Sequence, residues 1–273
     1  MQYWMLQVFL SPREKPPIID AVAPSRITRQ QYLLKTFGEE VSFQYRKRRY
    51  VYRFYENTSG VIAAVIGRAH TTTITPKEDF QSQEITDWET ANVFIDTSGD
   101  ATGQRVAMQK TSHIATPLEV FRGLTDFINR RDPDTDWTIS VNPVSKSNEF
   151  WSAVDQYQGK ITELDLVYIP PNIWGAQSET EKALKSLQAK TNTDEVDVKL
   201  KNADGKLELK NETIEQSVDY VTKGGGKAVL KVGRRKVFDT DSAVVIESPE
   251  EDVEVQQAPE ESLLKLIARL FNK

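Results

Sequence analysis

The densest run of functional side chains is Tyr45-Arg46-Lys47-Arg48-Arg49-Tyr50-Val51-Tyr52-Arg53-Phe54-Tyr55, with five cations, five aromatics and no acid. Cations neutralise phosphates and release counterions, and aromatic faces take unpaired bases, so the composition points to nucleic acid. Arg46, Lys47, Arg48, Arg49 and Arg53 are the expected phosphate ligands; Tyr45, Tyr50 and Tyr52 are the expected stacking platforms. Read as one strand, the segment puts Lys47, Arg49 and Arg53 on one face and Arg46 and Arg48 on the other. The alternative is structural: a solvated β-ribbon whose aromatics pack inward and whose arginines discourage edge pairing.

Catalysis has one candidate. Asp165 lies in Leu164-Asp165-Leu166-Val167-Tyr168, and the triplet Asp197-Val198-Lys199 follows on a later strand. Metal-dependent nucleases use two such carboxylates to hold Mg²⁺ and a lysine to orient the attacking water. The regular alternation from Val196 to Leu200 also accounts for these charges as a solvent face. Elsewhere the chemistry thins out. His70 and His113 have no second histidine at ligand spacing, and the absence of cysteine excludes thiolate sites and disulfides. Gly224-Gly225-Gly226-Lys227 has an expected helix before it and an expected strand after it, the reverse of a phosphate loop. No Gly-x-Ser-x-Gly elbow is present. The expectation is a non-catalytic protein without cofactor or metal, with a metal-dependent nuclease as an alternative.

The last residues suggest docking. On a helical wheel Leu263, Leu264, Leu266, Ile267, Leu270 and Phe271 share one side, with Lys265, Arg269 and Asn272 opposite. So short a helix is marginal alone in water, so it must dock on the chain's own body, on a protein partner or on another copy. Adsorption to a membrane is disfavoured because the acidic stretch before it is repelled by anionic lipid.

Charge is unevenly spread behind a net of −5. Residues 1–75 carry 11 bases and 5 acids, 76–150 carry 7 and 13, and 247–261 hold seven acids and no base. A second reading follows, in which the basic segment of one copy meets the acidic segment of the next in a head-to-tail assembly. At 273 residues the chain has room for one large or two small domains. The expected division is a body over 1–246, with a boundary near 145 as an alternative, an acidic flexible linker over 247–261 and an amphipathic helix over 262–273. No apolar run of about 18 residues and no secretory leader is seen, so the expectation is a cytoplasmic protein without membrane contact.

The positioning elements alternate irregularly. Strands are expected over 3–10, 91–96, 104–110, 136–141, 161–169, 228–232 and 236–238. A long hairpin pairs 41–55 with 61–75 around Asn57-Thr58-Ser59-Gly60, and a second joins 196–200 to 207–209 through Ala203-Asp204-Gly205-Lys206. Helices are expected from a Ser25 cap to Phe37, from Pro117 to Asp132-Pro133, over 148–157, after Ser178, and over 213–223. Hairpins mixed with scattered helices, without strict βαβ order, indicate an α+β fold built mainly from antiparallel sheet.

Three segments carry a resemblance. They are the basic hairpin leading into Gly60-Val61-Ile62-Ala63-Ala64-Val65-Ile66-Gly67-Arg68, the strand Ile161-Thr162-Glu163-Leu164-Asp165-Leu166 before a proline loop, and the helix and glycine-rich hairpin over 214–239. Together they resemble an uncharacterised bacterial domain-of-unknown-function family found near phage-defence and mobile-element genes, over most of residues 1–246. The resemblance implies a cytoplasmic component of an anti-phage defence or mobile-element system, and the family supplies no catalytic residues to carry over. Joined to the residue chemistry, it gives a protein that binds nucleic acid through its basic hairpin and a protein partner, or itself, through residues 262–273.

Overall fold

The computed structural model describes residues 1–13, 27–77, 80–98, 104–170, 179–191, 193–250 and 255–271. The chain begins β1 (Tyr3–Pro12), α1 (Arg29–Phe37), β2 (Val41–Tyr45), β3 (Arg48–Thr58), β4 (Val61–Ile74) and β5 (Gln83–Asp96). It continues β6 (Arg105–Gln109), α2 (Pro117–Arg131), β7 (Trp137–Pro143), α3 (Ser147–Gln156), β8 (Glu163–Tyr168) and α4 (Glu179–Thr191). β9 (Val196–Lys201), α5 (Glu212–Tyr220), a π-turn over Val221–Gly225, β10 (Gly226–Val232), β11 (Arg235–Asp239), β12 (Ile246–Glu247) and α6 (Glu260–Phe271) complete it. The strands are mostly antiparallel and the fold is α+β. The chain divides into two compact units. One comprises 1–3, 24–134 and 248–273; the other comprises 4–23 and 135–247.

The first unit is organised by an antiparallel meander in the order β6-β5-β4-β3-β2. Alternation drives it: Val41, Phe43, Tyr50 and Tyr52 are buried on one face while Ser42, Gln44, Arg49 and Arg53 are exposed on the other. Helices α1 and α2 close over the buried face. Phe37 of α1 meets Tyr52 edge-on at 5.8 Å and stacks on Phe121 of α2 at 5.7 Å, and Phe43 lies 6.5 Å from Phe127. Such pairs add ~1 kcal/mol each beyond the area they bury. Pro117 is the first residue of α2, and the Thr116 side chain accepts from the Glu119 amide to cap it.

β4 and β5 outrun their neighbours. β3 last pairs with β4 at Tyr50↔Arg68, yet the β4–β5 ladder runs on from Ala69↔Trp88 to Ile74↔Gln83. The ribbon so formed is exposed on both faces. Because neither face is buried, residues 83–90 carry no hydrophobic alternation, and for that reason a strand expected to begin at 91 begins at Gln83.

In the second unit β1 pairs antiparallel with β7, from Leu6↔Pro143 to Pro12↔Trp137. A four-stranded sheet in the order β11-β10-β8-β9 buries Leu164, Leu166, Tyr168 and Leu230 in one core with Phe150 and Val154 of α3, Leu184 of α4, and Ile214 and Val218 of α5. Gly224, in the π-turn, has φ 95°, and a Cβ there would lie 2.3 Å from the Cβ of Gln7. Only glycine fits that backbone.

Several expectations are corrected. The first helix starts after Thr28, whose hydroxyl accepts from the Gln31 amide while Gln31 returns the bond to the Thr28 amide. Ser25, the expected cap, lies outside the described residues. The expected strand over 41–55 is two strands, because Arg46 (φ 48°) and Lys47 (φ 65°) form a two-residue turn between β2 and β3. The second expected hairpin does not form: residues 207–209 are not a strand. Asn202 folds its side chain back to accept from the Asp204 and Lys206 amides, and Lys206 makes a parallel bridge to Ile161 instead. The helix expected over 213–223 ends at Tyr220 and loosens into the π-turn.

Candidate nucleic-acid interface

Tyr45↔Arg48 closes the β2–β3 hairpin, so the basic cluster surrounds a turn tip rather than lining a strand. Positive φ at both central residues is the type I′ signature, which matches the twist of the flanking strands and is ordinarily supplied by Asn-Gly. The turn takes Arg46 and Lys47 out of the ladder, and beyond it the expected alternation holds. Arg49 and Arg53 share the outer face with Val51, whereas Arg48 lies on the side of Tyr50 and Arg68.

The five cations divide by partner. Arg46 pairs with Glu119 at 2.7 Å and lies 5.2 Å over the Tyr45 ring; Arg53 pairs with Glu40 at 2.7 Å. Among the described residues Lys47, Arg48 and Arg49 form no ion pair, and all three side chains are exposed. The aromatics divide too. Tyr50 stacks on Phe43 at 5.3 Å, and Tyr52 donates to the Phe37 carbonyl at 2.7 Å. Both rings are fully buried, and burial raises both phenol pKa values. They hold the hairpin to its core and present no face to a base. Tyr45 is half-buried.

One exposed aromatic does stand beside the exposed cations. Trp88 of β5 is 40% exposed on the outer face and leans across Gly67 of β4, its Cε3 3.1 Å from where a Cβ would sit. The Arg49 guanidinium lies 6.0 Å from its ring. Sequence reasoning missed Trp88, although an isolated glycine within a strand pattern signals such a close approach. Nearby, Arg68 pairs with Glu89 at 3.5 Å and donates to the His113 carbonyl, while Glu89 also faces His113 Nδ1 at 3.5 Å. Arg46–Glu119 and Arg68–Glu89 both join the basic segment 1–75 to the acidic segment 76–150 within one chain. The two charge blocks are partly matched internally.

The expected nuclease residues sit on the outer face of the four-stranded sheet. Lys231 of β10 reaches Asp165 at 2.7 Å and also binds Glu163; Lys199 approaches Asp165 at 3.4 Å and Lys201 approaches Glu163 at 3.3 Å. Asp197 pairs in register with Val167, not with Asp165. The carboxylate assigned to Mg²⁺ is thus neutralised by two ammonium groups, and among the described residues no cluster of acids and histidines is disposed to hold a metal. Hydrogen bonding from Lys231, foremost, pulls the Glu163 pKa down to about 2, and Asp165 and Glu163 in turn raise that of Lys231. Because the folded pKa of Glu163 lies below its ordinary value of 4.5, its contribution is complete above that value and is lost as pH falls toward 2. Lys231→Met is therefore expected to move the acid-unfolding midpoint upward in a circular-dichroism pH titration. An unchanged midpoint rejects the coupling.

Leu263, Leu266, Ile267, Leu270 and Phe271 of α6 are buried in the chain itself, and α6 belongs to the first unit. Only Leu264, at 37%, remains exposed among the six residues expected to bind a partner. This is docking on the chain's own body. Asn272 and residues 251–254 of the acidic stretch lie outside the described residues. No helix among the described residues is long and apolar enough to cross a membrane. No family model, curated protein or solved structure matches the chain.

Proposed function

We propose that this chain is a non-catalytic nucleic-acid-binding protein whose contact surface is the β2–β3 turn, working in the cytoplasm as a component of a bacterial defence or mobile-element system. The setting rests on the sequence resemblance. The binding surface rests on one observation: Arg46 and Lys47 hold positive φ without being glycine or asparagine, next to Arg48 and Arg49, which with Lys47 have no acidic partner among the described residues. Bulky residues in that backbone region cost folding energy, and a local rule broken at an exposed, uniformly charged tip marks a position kept for its side chains. A protein partner through residues 262–273 is not included, because that face is buried.

The test is fluorescence anisotropy of a labelled oligonucleotide at several salt concentrations. Binding is expected to weaken steeply with salt. The combined Lys47→Ala, Arg48→Ala and Arg49→Ala variant is expected to lower the slope of log K against log salt by roughly 2 to 3, at ~0.7 to 0.9 for each phosphate that is no longer neutralised. Its melting temperature should barely move, since the three side chains are exposed. A flat salt response, or an unchanged slope in the variant, rejects the surface.

A further inference from the structure

We infer that Trp88, Gly67 and Arg49 form a stacking slot for an unpaired nucleobase, so that the nucleic acid taken at this surface is single-stranded. The inference rests on the nucleic-acid reading above and narrows it to one ligand class.

Trp88 leads the argument. A solvent-exposed indole in a strand is ordinarily covered by cross-strand neighbours of similar bulk. Here the residues around it are small. Ala69 lies directly opposite in register, Gly67 is the diagonal neighbour, and the Thr90 methyl lies 3.9 Å from the position a Gly67 Cβ would occupy. One edge of the six-membered ring rests on the bare Gly67 backbone, and the residue keeps 40% of its surface in solvent. The strand thus supplies a flat aromatic platform with a low floor beneath it.

Arg49 supplies the second plane. It lies on the same outer face, and its guanidinium is 6.0 Å from the Trp88 centroid. Stacked bases are spaced at about 3.4 Å, so a base held between two planes needs a gap of about 7 Å. A shift of about 1 Å by the exposed Arg49 side chain opens that gap, well within the reach of surface rotamer motion. Arginine planes and indoles are both used to stack splayed bases.

Charge complementarity commits the occupant. Arg49 adjoins Arg48 and Lys47, so a chain of phosphates following the turn carries its bases toward the indole. A base within a duplex is stacked on both sides and has no face to offer, whereas a single strand does. Of the tyrosines expected to stack, Tyr50 and Tyr52 are inside the core and Tyr45 is half-buried beneath Arg46, whereas Trp88 stands on the outer face beside Arg49.

The experiment compares three probes on the full chain: a thymidine 20-mer, a duplex of similar charge and inorganic polyphosphate. Trp88→Ala is expected to weaken the 20-mer about tenfold, as removing one base–aromatic stack does, without changing its salt slope. Polyphosphate affinity should stay the same, and Trp88→Phe should recover part of the loss. Quenching of tryptophan fluorescence by the 20-mer should shrink in Trp88→Ala. If all three probes bind and Trp88→Ala leaves the 20-mer unaffected, or weakens it and polyphosphate equally, the slot is overturned while the charged surface stands. If no probe binds the native chain, the parent reading falls and the slot with it. A Trp88→Ala chain that fails to fold by circular dichroism transfers the decision to Arg49→Lys, which keeps the charge but removes the second plane and is expected to weaken the 20-mer severalfold more than polyphosphate; equal weakening overturns the slot.

Discussion

Arg46→Asn combined with Lys47→Gly is expected to stabilise the protein and to disable its binding surface at once. The turn holds φ 48° and 65° at the two positions, and left-handed backbone costs an ordinary residue about 1 kcal/mol. Asn-Gly adopts that geometry at little cost. Against the gain stand the Arg46–Glu119 pair, partly exposed and worth at most ~1 kcal/mol, and the added freedom of glycine in the unfolded chain. The balance favours the variant by about 1 kcal/mol, a rise of roughly 2–4 °C in melting temperature. The same change removes two cations, so nucleic-acid affinity should fall about tenfold near 0.1 M salt, and the salt slope by about 1.5. Calorimetry and anisotropy on one preparation read both. A stabilised variant that binds as well as the native chain shows that the turn residues are indifferent to function.

Gly224→Ala is expected to destabilise the second unit strongly. The new Cβ would meet the Gln7 Cβ at 2.3 Å and its Cγ at 3.0 Å, and the backbone there has φ 95°. The Gly224 carbonyl also accepts from the Asn142 side chain at 3.2 Å, which limits how far the turn can retreat. Overlap and backbone strain together are worth about 3 kcal/mol. Gln7→Gly removes the overlap and leaves the strain. The double variant is therefore expected to be more stable than the two single losses added together, by about 1–2 kcal/mol in chemical denaturation. Strict additivity would place the cost entirely in the backbone.

Much of the architecture was legible because ordinary rules govern it. Pro117 with its apolar repeat marked α2, Ser59-Gly60 marked the turn into β4, and Gly233 marked the turn between β10 and β11. The β2–β3 turn was not legible, since aromatics continue on both sides of it and neither Arg46 nor Lys47 carries turn chemistry. The turn takes Arg46 and Lys47 out of the ladder, Tyr50 and Tyr52 are buried in the core, and the exposed indole beside Arg49 comes from β5, 39 positions further on in the sequence. Such a pairing depends on sheet register, and no local pattern encodes it. The Asp165 and Lys199 pattern was seen, but its meaning depended on Lys231, which the register of β10 brings alongside.

The extension of β4 and β5 beyond the sheet has a dynamic consequence. A ribbon of two strands, unsupported on either face, is marginally stable in water. Its amides over 69–74 and 83–88 can therefore open without the core unfolding, and hydrogen exchange should quicken toward Ile74 and Gln83 while β4 residues 61–66 stay protected. Ile74, Ile85 and Phe80, the last 78% exposed, lie along or just beyond this stretch, so opening adds little new apolar surface to what water already touches. Glu84 and Asp87 punctuate its β5 edge with charge, which discourages a stray strand from completing the pair. Trp88 stands at the root of the ribbon, where exchange passes from fast to slow, so occupation of that indole should be reported as a slowing confined to its own few neighbours.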